Sequence, residues 1–187
     1  MLSQYIHPVL RFVTRFSKCK CPNAEEQLNF AEEKWALLNI NFPRLGIQSA
    51  LDGFVNEQIM ADCPTCKQLR QETTERSLVE APQVLAISIS RLDIDTRQQI
   101  KDLIATPDII NLPLAAESVV EPSTRKVSYK LSAAILPTPG HFLALIQHGG
   151  RCYRVSDAHP PELAGRLDIR RAEIYLFTKV DNEANYM

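Results

Sequence analysis

The sequence has no uninterrupted run of 18 apolar residues, no stripe of basic residues, no internal repeat and no low-complexity tract. The first absence excludes a membrane-spanning helix. The second argues against a nucleic-acid partner, because 21 Lys and Arg are offset by 22 Asp and Glu and lie scattered along the chain. The opening stretch MLSQYIHPVLRFVTRF also lacks the basic start, apolar middle and small-residue cleavage site of a secretory signal, so the expected address is cytoplasmic or nuclear. What is present is 45% apolar residues in a chain of 187, enough to fill one ordinary core with room for a small appended lobe.

Cysteine occurs five times, and four of the five fall in two close groups, Cys19-Lys20-Cys21 and Cys63-Pro64-Thr65-Cys66. A reducing compartment favours metal binding over disulfides. Two short cysteine turns brought together by a ribbon supply the four soft ligands of a tetrahedral zinc ion, with Pro64 stiffening the second turn. The single residue between Cys19 and Cys21 leaves the first turn less room to aim both sulfurs inward, so an incomplete site and unrelated reduced thiols remain alternatives. A redox role for CPTC is disfavoured, since Cys63 follows a polar helix end and does not open a helix that would lower its pKa. If all four cysteines bind zinc, no position is left for water, and the expected role is structural.

Along the chain, Ile6, Val9, Leu10 and Val13 have the spacing of one buried helical stripe and predict a helix over residues 2–16, bent or begun at Pro8. In WALLNINFP, Leu38, Ile40 and Phe42 alternate with Asn39 and Asn41 as in a half-buried strand. QSALDGFVNEQIMAD, residues 48–62, predicts a short helix burying Leu51, Phe54, Val55 and Ile59. Residues 72–80 are polar and read as the far side of a ribbon. VLAISISRL, residues 84–92, is a clear strand, with Leu85, Ile87 and Ile89 on one face and the small Ala86, Ser88 and Ser90 on the other, which invites close approach by another element. Residues 95–125, punctuated by Pro107, Pro113 and Pro122, predict a connecting excursion with one short helix at 98–104. Four strand-like segments follow at 127–135, 141–148, 151–157 and 172–180. The fold class expected from this order is α+β.

The stretch PGHFLALIQHGGRCYRVSDAH gathers chemistry-bearing residues around Gly149-Gly150. A two-residue turn there predicts a hairpin in which His148 faces Arg151, Gln147 faces Cys152, Leu143 faces Ser156 and Phe142 faces Asp157. Ser156 then shares a side with His141, and Asp157 lies on the other side unless a bulge shifts the register. Cys152 pairs with Gln147, six residues from His141 and roughly 20 Å away, far beyond the reach a thiol nucleophile and its base require. Its expected role is a small apolar filler. His141 opens an apolar strand after Pro137-Thr138-Pro139-Gly140 and reads either as a base whose tautomer a neighbouring polar group fixes, or as a strand-edge histidine without chemistry. His148 and His159 read as turn and loop residues, and His7 has no partner in view. A metal cluster of His141, Asp157 and His159 is a further alternative that no ligand-spacing motif supports.

Several segments, taken in order, resemble the ubiquitin-specific protease family of papain-like cysteine peptidases. CPTCKQLRQETTERSLVEAPQVLAISISRL resembles the second finger knuckle, the returning ribbon and a palm strand, here ending Ser90-Arg91-Leu92. KVSYKLSAAILP resembles the strand leading to the histidine loop. PGHFLALI is similar to the Gly-His-Tyr box, CYRVSDAH to the strand ending in the third triad residue, and AEIYLFTKV to the terminal core strand. The resemblance implies a partial ubiquitin-specific protease-like domain over residues 1–187, with zinc-ribbon fingers over 17–80, a papain-like antiparallel palm over 81–180 and a thumb largely missing. It implies thiol-dependent deubiquitination, with His141 as general base, Ser156 or Asp157 as its orienting partner, and a structural zinc ion held by Cys19, Cys21, Cys63 and Cys66. The implied partners are ubiquitin or a ubiquitinated protein, and a polypeptide covering the missing thumb face. The Asn-Thr-Cys nucleophile box is absent, the first knuckle has one intervening residue where the family has two, and serine stands at the third triad position. The resemblance therefore leaves three readings: a family member inactive as this chain, a non-catalytic ubiquitin-binding or interaction module, and a peptidase restored when another polypeptide supplies the missing half; outside it stands an unrelated zinc-stabilised domain.

Overall fold

Leu10, Phe12 and Thr14 are buried at 2%, 0% and 0% exposure, and Arg11 between them is exposed. This period of two makes Leu10–Ser17 a strand, β1, where the helix expected over residues 2–16 was to end; residues 2–9 of that helix lie outside the described residues. The physical reason is tertiary: β1 has a hydrogen-bonded partner on each edge, and its Val13 and Thr14 are β-branched, so sheet pairing overrides a helical spacing that also fits four apolar residues. The computed structural model describes residues 10–17, 29–35, 37–62, 67, 69–93, 95–115, 125–156, 159–165 and 169–180.

After β1 come β2 (Asn29–Trp35), β3 (Leu38–Asn41), α1 (Ile47–Val55), β4 (Asn56–Asp62) and β5 (Leu69–Leu78). Strands β1, β2, β4 and β5 form an antiparallel four-stranded sheet in the order β2-β1-β5-β4. The helix expected over 48–62 is therefore only half helix. It buries Ile47, Leu51 and Val55 on one stripe, and at Asn56, with φ −120° and ψ 68°, the chain turns into a strand that pairs with β5. Asparagine suits such an exit because its side chain competes with helical hydrogen bonding.

The remaining strands are β6 (Val84–Ser90), β7 (Ile109–Pro113), β8 (Lys126–Thr138), β9 (His141–His148), β10 (Arg151–Ser156), β11 (Glu162–Ala164) and β12 (Ile174–Lys179), with a 3-10 turn at Ile169–Arg171. With β3 they make an eight-stranded sheet ordered β11-β10-β9-β8-β12-β6-β3, and β7 adds to β8. All pairs are antiparallel except β3 with β6. The two strands of that parallel pair are joined by a crossover containing α1, β4 and β5, as parallel pairing requires. The fold is thus mostly β with a single α-helix among the described residues, the coarse form of the α+β expectation. Residues 17–80 contribute β2, β4 and β5 to the small sheet and β3 to the large one.

The strand expected at 84–92 forms with the faces read from its alternation: Leu85, Ile87 and Ile89 are buried, and Ala86 and Ser88 are half-buried. Each such burial contributes about 1.5–3 kcal/mol relative to exposure. Both sheets share one core in which Phe12 of β1 joins Leu38, Leu51, Leu85, Ile110 and Phe177. Phe54 of α1 ties the small sheet to it, meeting Phe12 edge-on at 5.4 Å and Trp35 at 6.2 Å.

The helix expected at 98–104 does not form. Asp93 makes a turn, its Oδ1 accepting from the amides of Asp95 and Thr96, and hydrogen bonding to Thr96 holds its carboxyl below the usual carboxylate range. Arg91 then draws the segment in: its guanidinium, 8% exposed with its residue, donates to the carbonyls of Asp102 at 2.8 Å and Ile100 at 3.3 Å. Carbonyls engaged this way favour an extended path over a helix, and only Ile104 reaches the core.

Candidate functional site

Gly149 and Gly150 have φ of 56° and 73°, the doubly left-handed turn that matches the twist of a tight hairpin. The turn sets the predicted register: His148 opposes Arg151, Gln147 opposes Cys152 and Leu143 opposes Ser156. At the other end of β9, Pro139-Gly140 makes a second tight turn with Gly140 at φ 79°, so that His141 pairs with Thr138 of β8. The Thr138 hydroxyl donates to the His141 carbonyl at 2.9 Å, fixing the backbone from which the imidazole projects.

Directly paired residues share a face, so His141, Leu143 and Ser156 lie on the same side of the sheet. His141 is exposed and Ser156 is half-buried. They stand diagonally across two neighbouring strands, a separation of about 7–8 Å between backbones that long side chains can span. Cys152 lies on this side as well, but at the Gly-Gly end of the hairpin, half-buried beside Gln147. The separation inferred from spacing is therefore retained in the folded chain.

Beside Ser156 a cavity of about 230 Å³ is lined by Arg154, Ser156, His159, Pro160 and Glu162. Arg154 pairs with Glu162 of β11, which folds the following loop back over the strand end. His159, read from sequence as a plain loop residue, thus comes to the edge of the candidate site. Only the β10–β11 pairing brings it there, and no local motif announces it.

Asp157 lies outside the described residues, as do Cys19, Cys21, Cys63 and Cys66. Among the described residues, no three His, Cys, Asp or Glu side chains come together, and the alternative cluster of His141, His159 and Asp157 depends on a residue outside them. The strand ends flanking the cysteine pairs are informative. Ser17 of β1 pairs with Thr73, Asn29 of β2 with Phe16, and Asp62 of β4 with Leu69. Both cysteine-bearing connections therefore leave the same end of the small sheet.

Among the described residues, no helix is long and apolar enough to cross a membrane. No protein-family model and no curated protein matches the sequence. Solved structures do match the fold. A chain of the SAGA Ubp8/Sgf11/Sus1/Sgf73 DUB module bound to ubiquitin aldehyde superimposes with a TM-score of 0.69 at 14% identity over 92% of the present chain. A substituted form of that module bound to monoubiquitin gives 0.68 at 15% identity, and another with a shortened Sgf11 gives 0.64 at 12%. The match spans 41% of the length of each of those chains. Carried by two sheets in the order described, the fold of this chain is similar to that of these deubiquitinating-module chains.

Proposed function

We propose that this chain is a ubiquitin-binding domain of the ubiquitin-specific protease type, carrying the histidine half of a cysteine-peptidase site and not hydrolysing by itself. The observation that carries the proposal is the register that puts His141 and Ser156 on one side of the sheet at an open strand end, with Cys152 at the opposite end of the hairpin. An imidazole at His141 has the position of a general base, and Ser156 can orient it through a neutral hydrogen bond. Serine cannot stabilise an imidazolium as a carboxylate does, and Asp157 is the residue that would supply that charge if the register slips. Acyl transfer needs a thiolate within hydrogen-bond reach of the base, and a thiol some 20 Å away does not meet that need. The solved modules of similar fold, bound to ubiquitin aldehyde and to monoubiquitin within multi-protein assemblies, support ubiquitin as ligand and a further protein as partner.

In the same reading, Cys19, Cys21, Cys63 and Cys66 hold a structural zinc ion that ties the far end of the small sheet. With four protein ligands it would organise the ribbon and leave substrate water unactivated.

The test incubates the purified chain with ubiquitin bearing a C-terminal electrophile and, separately, titrates it with free ubiquitin. Binding without covalent labelling supports the proposal. Labelling that disappears in Cys152→Ala overturns the spatial exclusion of that thiol, and absence of binding overturns ubiquitin as the ligand.

A further inference from the structure

The tip of the β9–β10 hairpin stands beside a break in β8. That strand pairs with β9 from Ala133 to Thr138 and with β7 from Lys126 to Lys130, so Leu131 and Ser132 lie where its edge changes partner. On its other edge the register with β12 slips between Leu176 and Phe177, which leaves Ser132 as the extra residue of a bulge. A cavity of about 350 Å³ opens there, between the break, Thr178 of β12 and the Gly149-Gly150 turn. Thr178 and His148 each stand two residues beyond the paired row of Leu176, Ala133 and Ile146, and their partners are Lys130 and Arg151. Lys130, His148 and Arg151 therefore project from one side of the sheet, opposite to that of His141, and all three line the cavity. Among the described residues, no carboxylate and no aromatic ring lines it, and none of these three side chains has an ion-pair partner. Asp108, whose carbonyl accepts from the Leu131 amide, stays outside the lining.

The chain as a whole carries nearly equal numbers of acidic and basic residues, yet here it gathers basic side chains across three strands without a counter-charge. Like charges facing each other on a sheet oppose folding, and an anion seated among them relieves the repulsion. We propose that this cavity binds the phosphoryl group of a small hydroxylated phosphate ester, of the sugar phosphate class. Lys130 and Arg151 supply charge-assisted donors, and the planar guanidinium fork matches a pair of phosphate oxygens. The two central amides of a two-residue turn take no part in the strand ladder, so Gly149 and Gly150 add donors at the rim. Nothing lies within 4 Å of where a Cβ would stand on either glycine, so a ligand can approach that backbone closely. The Ser132 hydroxyl donates to the Leu176 carbonyl at 2.9 Å, so towards the cavity it can only accept, as from a hydroxyl of the ligand. The volume is at the lower end for small-molecule sites, and the lining offers no ring on which a nucleotide base would stack. The cavity lies at the far end of β9 from His141, so its occupation leaves the candidate site open.

The proposal does not depend on ubiquitin, and its test is calorimetric titration of the intact chain with glucose 6-phosphate, inorganic phosphate and glucose. Glucose 6-phosphate should bind with a dissociation constant below about 1 mM, inorganic phosphate about 10-fold more weakly, and glucose not at all. Lys130→Gln and Arg151→Gln, both at exposed positions whose replacement leaves the core intact, should each raise the dissociation constant for the ester by about 10-fold or more. Lys101→Gln, exposed and away from the cavity, should leave it unchanged. No binding of glucose 6-phosphate at roughly 10 mM overturns the proposal. So does an equal loss in Lys101→Gln, which would mean diffuse attraction to the whole surface. Inorganic phosphate binding as tightly as the ester would overturn the assignment of a hydroxylated body.

Discussion

The Arg76 guanidinium lies 4.7 Å over the Phe54 ring while its Nη1 donates to the Phe54 carbonyl at 2.8 Å, so one side chain grips both the ring and the backbone of the same residue. The same Nη1 reaches Glu57 Oε2 at 2.9 Å, and Nε faces Glu33 Oε2 at 3.7 Å. Glu33 in turn accepts from the buried Thr14 hydroxyl at 2.9 Å and from Trp35 Nε1 at 3.2 Å. This cluster welds the end of α1 to the small sheet. Arg76→Ala should cost about 3 kcal/mol, since it leaves Glu33 partly buried without its cation. Arg76→Lys keeps the charge but loses the planar fork and its stacking, and should cost about 1–2 kcal/mol. Urea denaturation of the two variants checks the order, and a lysine variant as stable as wild type would show that planarity contributes nothing.

Arg91 should behave differently, because it engages backbone oxygens and a ring face. Its guanidinium donates to the carbonyls of Ile100, Asp102, Arg170 and Ala172 and lies 5.5 Å from the Phe42 ring. Replacing it with Met retains the volume and strands those oxygens, at a cost of about 3 kcal/mol. Hydrogen exchange should accelerate at Ile104, whose amide donates to the Arg170 carbonyl, well before the amides of β6. Equal acceleration in both places would refute a local role.

Tyr129 is fully buried, and its hydroxyl has no hydrogen-bond partner among the described residues. Removing a stranded donor relieves a desolvation cost, so Tyr129→Phe should stabilise the fold by about 1 kcal/mol. Burial also pushes the phenol well above its ordinary value. The folded chain therefore keeps a proton that the unfolded chain releases above about pH 10, and stability falls as pH rises through that range. Denaturation midpoints from pH 8 to 11 should decline more steeply for wild type than for the phenylalanine variant. Parallel curves would argue against this origin.

Zinc should be measurable without reference to activity. Protein purified without chelator should carry about one equivalent if the two thiol pairs complete a four-ligand site. Cys63→Ser should remove most of it and lower the melting temperature. A metal content below about 0.2 equivalents in wild type would eliminate the ribbon site.

Strands β8, β9, β10 and β12 were readable from alternation and turn signals, as in VSYKLSAAI, HFLALIQH and EIYLFTK, whereas the short β11 and the strand β7 inside the excursion expected over 95–125 were not, since both form only by pairing with strands distant from any local motif. The hairpin register was equally readable, since Gly149-Gly150 admits one tight turn and the pairing of every later residue follows from it. Local spacing failed at β1 and at β4, where partners distant in sequence turn a segment with helical periodicity into a strand. It failed again at 98–104, where carbonyls are claimed by an arginine that belongs to β6.

Composition and alternation alone established a strand-rich chain, read as α+β, its hairpin, and a histidine separated from the nearest downstream thiol. Only tertiary pairing decided that β1 is central to the small sheet, that β4 continues from α1 as a strand, and that His159 returns beside Ser156. The difference has one physical cause: face and turn geometry are properties of neighbouring residues, whereas strand order and coverage depend on contacts whose loop-closure entropy is offset only when the whole sheet assembles.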